Sequence, residues 1–295
     1  MEVSLFIGAH RTASTHLATM LENNSPLLLD QGIGYIAPNI AMKAISQAQK
    51  ALTDGAEIEA VQQNLLETMT QGRDLDRVVV ISPGTLGAVT RPFGKALFYP
   101  RTSGLIKQLQ NVFQNISTQL FLSVRNPATF IPSCYAESIL NASFNTFDDF
   151  ITEVNLPDLK WSSFIHRAQG KQADIPLTVW RYEDYPYMWR DVAQAITGIQ
   201  NGQDFVGTTQ RISTSLSLHG AQMFYRYIEE HPPRSKGDFA KTKIVFQEKF
   251  PSSPNEIVGP DWPPDLVKTL TNNYEDDWYY IERMDGVETI QPRHF

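Results

Sequence analysis

The sequence predicts an α/β protein built on a doubly wound, mainly parallel sheet flanked by helices, and three observations carry this. Val3-Ser4-Leu5-Phe6-Ile7 is an apolar run of strand type that turns through Gly8-Ala9 into a helix with Leu17, Met20 and Leu21 on one face. Arg77-Val78-Val79-Val80-Ile81-Ser82 is a continuous β-branched run, the pattern of a central strand covered on both faces. Gln119 to Val124 and Leu177 to Tyr182 repeat that pattern with helical periodicity between them, and strands that alternate with helices require parallel crossovers.

Taken in order, four strands are expected, with one further short strand or loop at Gly32 to Ile36. A helical hairpin rich in Ala, Gln and Glu runs from Asn39 to Met69 and breaks near Asp54-Gly55, an insertion spanning roughly residues 39 to 72. Gly84 to Pro100 reads as a long loop, and Ser103 to Phe113 as an amphipathic helix. Asn126 opens the next helix, with Pro127 near the first helical position where proline is tolerated. Asp148 to Val154 and Lys160 to Gln169 continue as helices. The last third is helical at Met188 to Ile196, Ser215 to Glu230 and Pro264 to Met284, while Phe239 to Phe250 shows no clear period. Tyr274, Trp278, Tyr279 and Ile281 are expected in the core against the sheet. No repeat or linker divides the chain, so residues 1 to 295 are read as one α/β domain.

Composition narrows the function. A 42% hydrophobic, 19% charged chain is ordinary for a soluble domain, and a net charge of −7 argues against a nucleic-acid binder with a wholly basic surface. The single cysteine, Cys134, lies in a run that reads as half-buried and allows no internal disulfide, which fits a reducing compartment. The first strand begins at about the third residue, leaving no room for a signal peptide, and no apolar run approaches the roughly 20 residues of a membrane span. A cytoplasmic protein is expected. Its oligomeric state is not readable.

The first strand–loop–helix unit, Val3 to Asn24, is an anion site by construction. The unpaired amides of a helix start, the hydroxyls of Thr12, Ser14 and Thr15, and the cation Arg11 converge on one volume. Against the ATP/GTP pattern G-x-x-x-x-G-K-[ST], Gly8 and Thr15 are in register, but Ala13 replaces the second glycine and Ser14 replaces the lysine that reaches the β/γ-phosphates. An ATP-dependent small-molecule kinase is therefore disfavoured.

Arg11, Thr12, Ala13, Ser14 and Thr15 resemble instead the 5′-phosphosulfate loop of sulfotransferases that use 3′-phosphoadenosine 5′-phosphosulfate (PAPS). The same family places an arginine at the end of a later strand and a serine eight residues on, where they hold the nucleotide's 3′-phosphate; Arg125 and Ser133 match that pair. Trp180-Arg181-Tyr182-Glu183-Asp184 is similar to a late structural strand of the family, and Arg234-Ser235-Lys236-Gly237 to its basic Arg-Lys-Gly loop. The resemblance implies a P-loop-like fold, PAPS as donor co-substrate with no metal required, and a small-molecule or carbohydrate acceptor with a hydroxyl or amine.

The family's general base, a His or Glu just beyond the strand before the 3′-phosphate strand, would fall at Ser82-Pro83-Gly84-Thr85, which holds neither. His10, beside Arg11, is the substitute candidate, and His16 is expected to line the nucleotide. His166 and His219 fall in helices and carry less weight. A nucleotide-binding protein of the same fold without catalysis is the competing expectation. Gly84 to Pro100, Asn39 to Met69 and Phe239 to Phe250 are the candidate acceptor walls.

Overall fold

A computed structural model describes residues 1–143, 145–169, 175–199, 205–207, 216–252 and 262–292. The chain runs through β1 (Glu2–Gly8), α1 (Ser14–Asn23), α2 (Ser25–Asp30) and β2 (Ile33–Ile36), then a hairpin of α3 (Pro38–Thr53) and α4 (Ile58–Thr70), then β3 (Arg77–Ile81). The expected loop after β3 contains a 3-10 turn at Pro83–Leu86 and a two-stranded hairpin, β4 (Phe93–Gly94) and β5 (Leu97–Phe98). Next come α5 (Thr102–Val112), β6 (Ser117–Val124), α6 (Pro127–Leu140), α7 (Phe147–Ile151), α8 (Trp161–Gln169) and β7 (Leu177–Arg181). The last third is α9 (Tyr185–Thr197), α10 (Leu218–Glu230), α11 (Lys236–Lys249), α12 (Pro264–Ile281) and β8 (Val287–Thr289).

Six strands, not four, form one sheet in the order β2-β3-β1-β6-β7-β8, every pair parallel. The alternation of side chains in β1 explains the two-sided wrapping. Val3, Leu5 and Ile7 enter a core with Ala41, Ile45, Ile106, Phe130 and Phe164, whereas Phe6 enters the opposite core with Leu17, Met20, Leu21, Trp180 and Val192. Helices α1, α2 and α9 thus cover one face, and α3, α5, α6 and α8 cover the other. The connection leaving β1 goes to the β2 edge, while the one leaving β6 goes toward β7. Adjacent parallel strands whose connections diverge open a crevice at their carboxyl ends, so the loops after Gly8 and Val124 flank the sheet's binding crevice.

Three expectations need correction, and one open stretch takes a form: Phe239 to Lys249 is helical, with Phe239 and Phe246 reaching Phe224 of α10 at ring centroids 5.6 and 5.1 Å apart. Tyr279 is 56% exposed, since it sits about a hundred degrees around α12 from Trp278, which is buried with Tyr274 and Ile281. Cys134 is wholly buried, not half-buried. Helix α9 starts at Tyr185, ahead of Met188, whose own backbone is non-helical. Ser215, the expected start of α10, lies outside the described residues.

Helix α8 has its first amides bonded by a residue distant in sequence. Asp277 of α12, 6% exposed, accepts from the backbone N–H of Trp161 at 2.6 Å and of Ser162 at 3.1 Å, and from the Ser162 hydroxyl. Its carboxylate therefore caps the α8 dipole and ties two helices together. Asp277→Ala leaves three donors without this acceptor and is expected to lower unfolding stability by about 2 kcal/mol in a urea titration. A variant within 0.5 kcal/mol of the parent, the usual range for surface changes, would refute the capping role.

Candidate active site

The loop between β1 and α1 has an unusual backbone. Arg11 (φ 61°) and Ala13 (φ 64°) are both left-handed, a conformation that costs a non-glycine residue about 1–3 kcal/mol and is retained where surrounding contacts impose it. Here the contacts are visible. The Thr12 hydroxyl donates to Ala9 O at 2.7 Å, Arg125 Nη1 donates to Arg11 O at 2.7 Å, and the His10 N–H donates to the Tyr99 hydroxyl at 3.0 Å. A left-handed Ala13 followed by helical Ser14 turns successive N–H groups toward one concavity. Among the described residues, the N–H groups of Thr12, Ala13, Ser14 and Thr15 meet no backbone acceptor, and the hydroxyls of Ser14 and Thr15 make no hydrogen bond.

Two arginines converge on this loop. Arg11 Nε donates to Ser133 Oγ at 3.0 Å, so two residues 122 apart in sequence touch. Its Nη1 pairs with Glu137 at 3.0 Å. Arg125, at the end of β6, donates through Nε to Thr129 at 3.0 Å, and its guanidinium lies 4.4 Å over the Tyr182 ring. Burial pushes its proton affinity down, Tyr182 and Glu183 offset this, and Arg11 adds to it. Yet Arg125 makes no ion pair among the described residues. Glu183 instead accepts from the Asn126 N–H and the Tyr274 hydroxyl, both at 2.9 Å. A half-buried cation with no carboxylate in contact is costly unless a charged ligand completes it.

The side chains of the Arg181-Tyr182-Glu183-Asp184 run tie neighbouring elements together. Arg181 pairs with Glu275 and Asp184, Glu183 caps the start of α6, and Tyr182 supports Arg125. The Arg234-Gly237 stretch is a helix start rather than a loop: Ser235 Oγ accepts the Asp238 N–H at 3.1 Å, and Lys236 opens α11. His16 turns from the two arginines toward α9, its Nδ1 2.8 Å from the Tyr185 hydroxyl and its ring edge-on to Tyr185 and Trp189. His166 and His219 are exposed and contact the rings of Tyr280 and Phe250.

His10 is half-buried, and burial followed by the charge of Arg11 pushes its pKa down to about 4, so the ring is neutral at neutral pH. The buried Tyr99 hydroxyl accepts the His10 N–H and lies 2.9 Å from His10 Nδ1. Burial and Cys134 raise the Tyr99 pKa, so the phenol keeps its proton, and Nδ1 is the one other partner it has among the described residues. With the phenol donating to Nδ1, both hydroxyl and ring are satisfied and Nε2 carries the ring hydrogen, so Tyr99 holds the neutral His10 ring through one edge. The unfolded chain takes up a proton near the ordinary value of 6.5 and the folded one near 4, so stability falls as pH drops through that window and levels off below it. Chemical denaturation of His10→Gln is expected to show a flatter dependence between pH 6.5 and 4; parallel curves would contradict the buried neutral ring.

Ser82 and Thr85, where a base would follow β3, are both buried. Glu137 carries no local sequence signal beyond lying four residues after Ser133, and its place on Arg11 emerges only from the packing of α6. Among the described residues, no group of three His, Cys, Asp or Glu is placed to hold a metal ion, and no helix is long and apolar enough to cross a membrane. What fold and geometry define is an α/β protein in which two arginines and the amides of Thr12 to Thr15 meet at the switch point of a parallel sheet. Comparison with protein-family models, curated proteins and solved structures found no match.

Proposed function

We propose that this protein is a PAPS-dependent sulfotransferase acting on the hydroxyl or amine of a small molecule or carbohydrate, in the cytoplasm. The observation that carries the reading is Arg125, desolvated, without a carboxylate in contact among the described residues, and hydrogen-bonded to the carbonyl of Arg11 in a second cationic loop. An adenosine 3′,5′-bisphosphate skeleton supplies two anionic groups for these two cations. Arg125 and Ser133 would hold the 3′-phosphate, while Arg11, the amides of Thr12 to Thr15 and the hydroxyls of Ser14 and Thr15 would take the 5′-phosphosulfate. Sulfuryl transfer builds charge on the leaving phosphate oxygen, which is where donors fixed by the strained loop are most effective. The N–H of neutral His10 would add one more donor there.

The missing base after β3 favours a second reading, a protein that binds the nucleotide without transferring sulfate. Incubation with sulfur-labelled PAPS and a panel of phenols, sugars and long-chain alcohols separates the two. Labelled organic sulfate supports the transferase. Nucleotide binding with no product from any acceptor supports the binder.

A further inference from the structure

Glu137 lies one helical turn beyond Ser133, so both side chains leave α6 on the same face. Its Oε2 accepts from Arg11 at 3.0 Å, its Oε1 accepts from Asn141 Nδ2 at 3.1 Å, and its side chain keeps 28% exposure. The carboxylate is thus oriented by two donors and still open to solvent. The charged and titratable groups that face it are Arg11 on the loop and Cys134 on α6, while Lys243 of α11 reaches the same helix only at Leu140 O, 3.3 Å away.

Without a ligand, Arg11 is engaged by Glu137. An anionic group entering the loop must share or take Arg11, and it sets a further negative charge beside the carboxylate. The carboxylate so released stays oriented by Asn141, open to solvent and beside the loop that takes the donor, the placement a general base needs. His10 Nδ1 is engaged by the Tyr99 hydroxyl, and no carboxylate follows β3.

We propose that Glu137 is the base that takes the proton of the acceptor, released for this work when the donor's anionic group displaces it from Arg11. The proposal rests on the sulfotransferase reading. In the step, the acceptor oxygen bonds to sulfur as the bond from sulfur to the 5′-phosphate oxygen breaks, and that electron pair stays on the phosphate beside Arg11. The acceptor's proton passes to Glu137 Oε2 and leaves through its exposed edge to solvent. A sulfate ester and adenosine 3′,5′-bisphosphate result.

Glu137→Gln keeps the shape and removes the charge. Calorimetry with 3′-phosphoadenosine 5′-phosphate should show the variant binding about fivefold tighter than the parent, because the competing carboxylate is gone. Release of labelled sulfate from PAPS, to 4-nitrophenol or to water, should fall 10²–10⁴-fold, with partial rescue in Glu137→Asp. Thermal melts of both variants report whether they fold. A parent that fails to bind the bisphosphate overturns the sulfotransferase reading and this proposal with it. A parent that binds while Glu137→Gln binds no tighter, or transfers sulfate at the parental rate, overturns the role of Glu137 alone.

Discussion

Arg11→Ala is expected to lower sulfuryl transfer by about 10²–10³-fold, or 2.7–4 kcal/mol, the range for removing one preorganised donor from a site of developing charge. The loop should survive the change. Alanine and arginine share the backbone penalty at φ 61°, and the bonds from Thr12 to Ala9 and from Arg125 to the residue 11 carbonyl do not use the Arg11 side chain. Ser133 and Glu137 lose their common partner, but Glu137 still has Asn141 and partial exposure, so no charge is sealed in the core. The measurement is labelled-sulfate transfer at saturating PAPS. A variant within a factor of three of the parent would remove Arg11 from the chemistry.

Arg125→Ala is expected to weaken binding of 3′-phosphoadenosine 5′-phosphate by about 1.5–3 kcal/mol, the contribution of hydrogen bonds to a charged group. In affinity this is about 10- to 150-fold. Two effects share the loss. The guanidinium would touch the 3′-phosphate directly, and it also fixes the Arg11 carbonyl that keeps the amides turned inward. Removing it frees the Tyr182 face and the Thr129 hydroxyl, neither of which carries charge, so the folded state should tolerate the change. Titration with adenosine 5′-phosphate separates the effects: the variant should lose less affinity for it than for the bisphosphate. Equal affinity of parent and variant for the bisphosphate would show that Arg125 does not hold the 3′-phosphate.

How much of this was legible in the sequence depends on how local each signal is. Strands β1, β3, β6 and β7 stand out because they are buried on both faces and must be apolar at successive positions, as Val78, Val79, Val80 and Ile81 are. The α1 face of Leu17, Met20 and Leu21 and the cap at Asn126 are equally local. Strand β8 escapes because a three-residue edge strand, half-exposed at Val287 and Thr289, has too few buried positions to show a period. Helix α11 escapes because it touches the body chiefly through Phe239, Phe246 and Phe250, while Ile244 and Val245 are exposed and scramble its polarity.

The site divides the same way. Residue types at the first strand–loop–helix unit single out Arg11 and the hydroxyl loop, the family resemblance adds Arg125 and Ser133, and the fold brings all of them together. Their joining differs from expectation: Ser133 bonds Arg11 directly, so the two groups of residues form one network. Tertiary partners decide the rest. Tyr99, 89 residues from His10, sets that ring's proton, and Tyr185 draws His16 toward α9. Glu137 becomes a candidate only once α6 packs it against the loop.

The most direct measurement is a calorimetric titration of the protein with 3′-phosphoadenosine 5′-phosphate beside one with ATP and magnesium. The proposed reading, with Arg125 on a 3′-phosphate and Arg11 on a 5′-phosphosulfate in a loop without the ATP-reading lysine, predicts saturable one-to-one binding of the bisphosphate and much weaker binding of ATP. Binding of ATP with no binding of the bisphosphate would contradict the account.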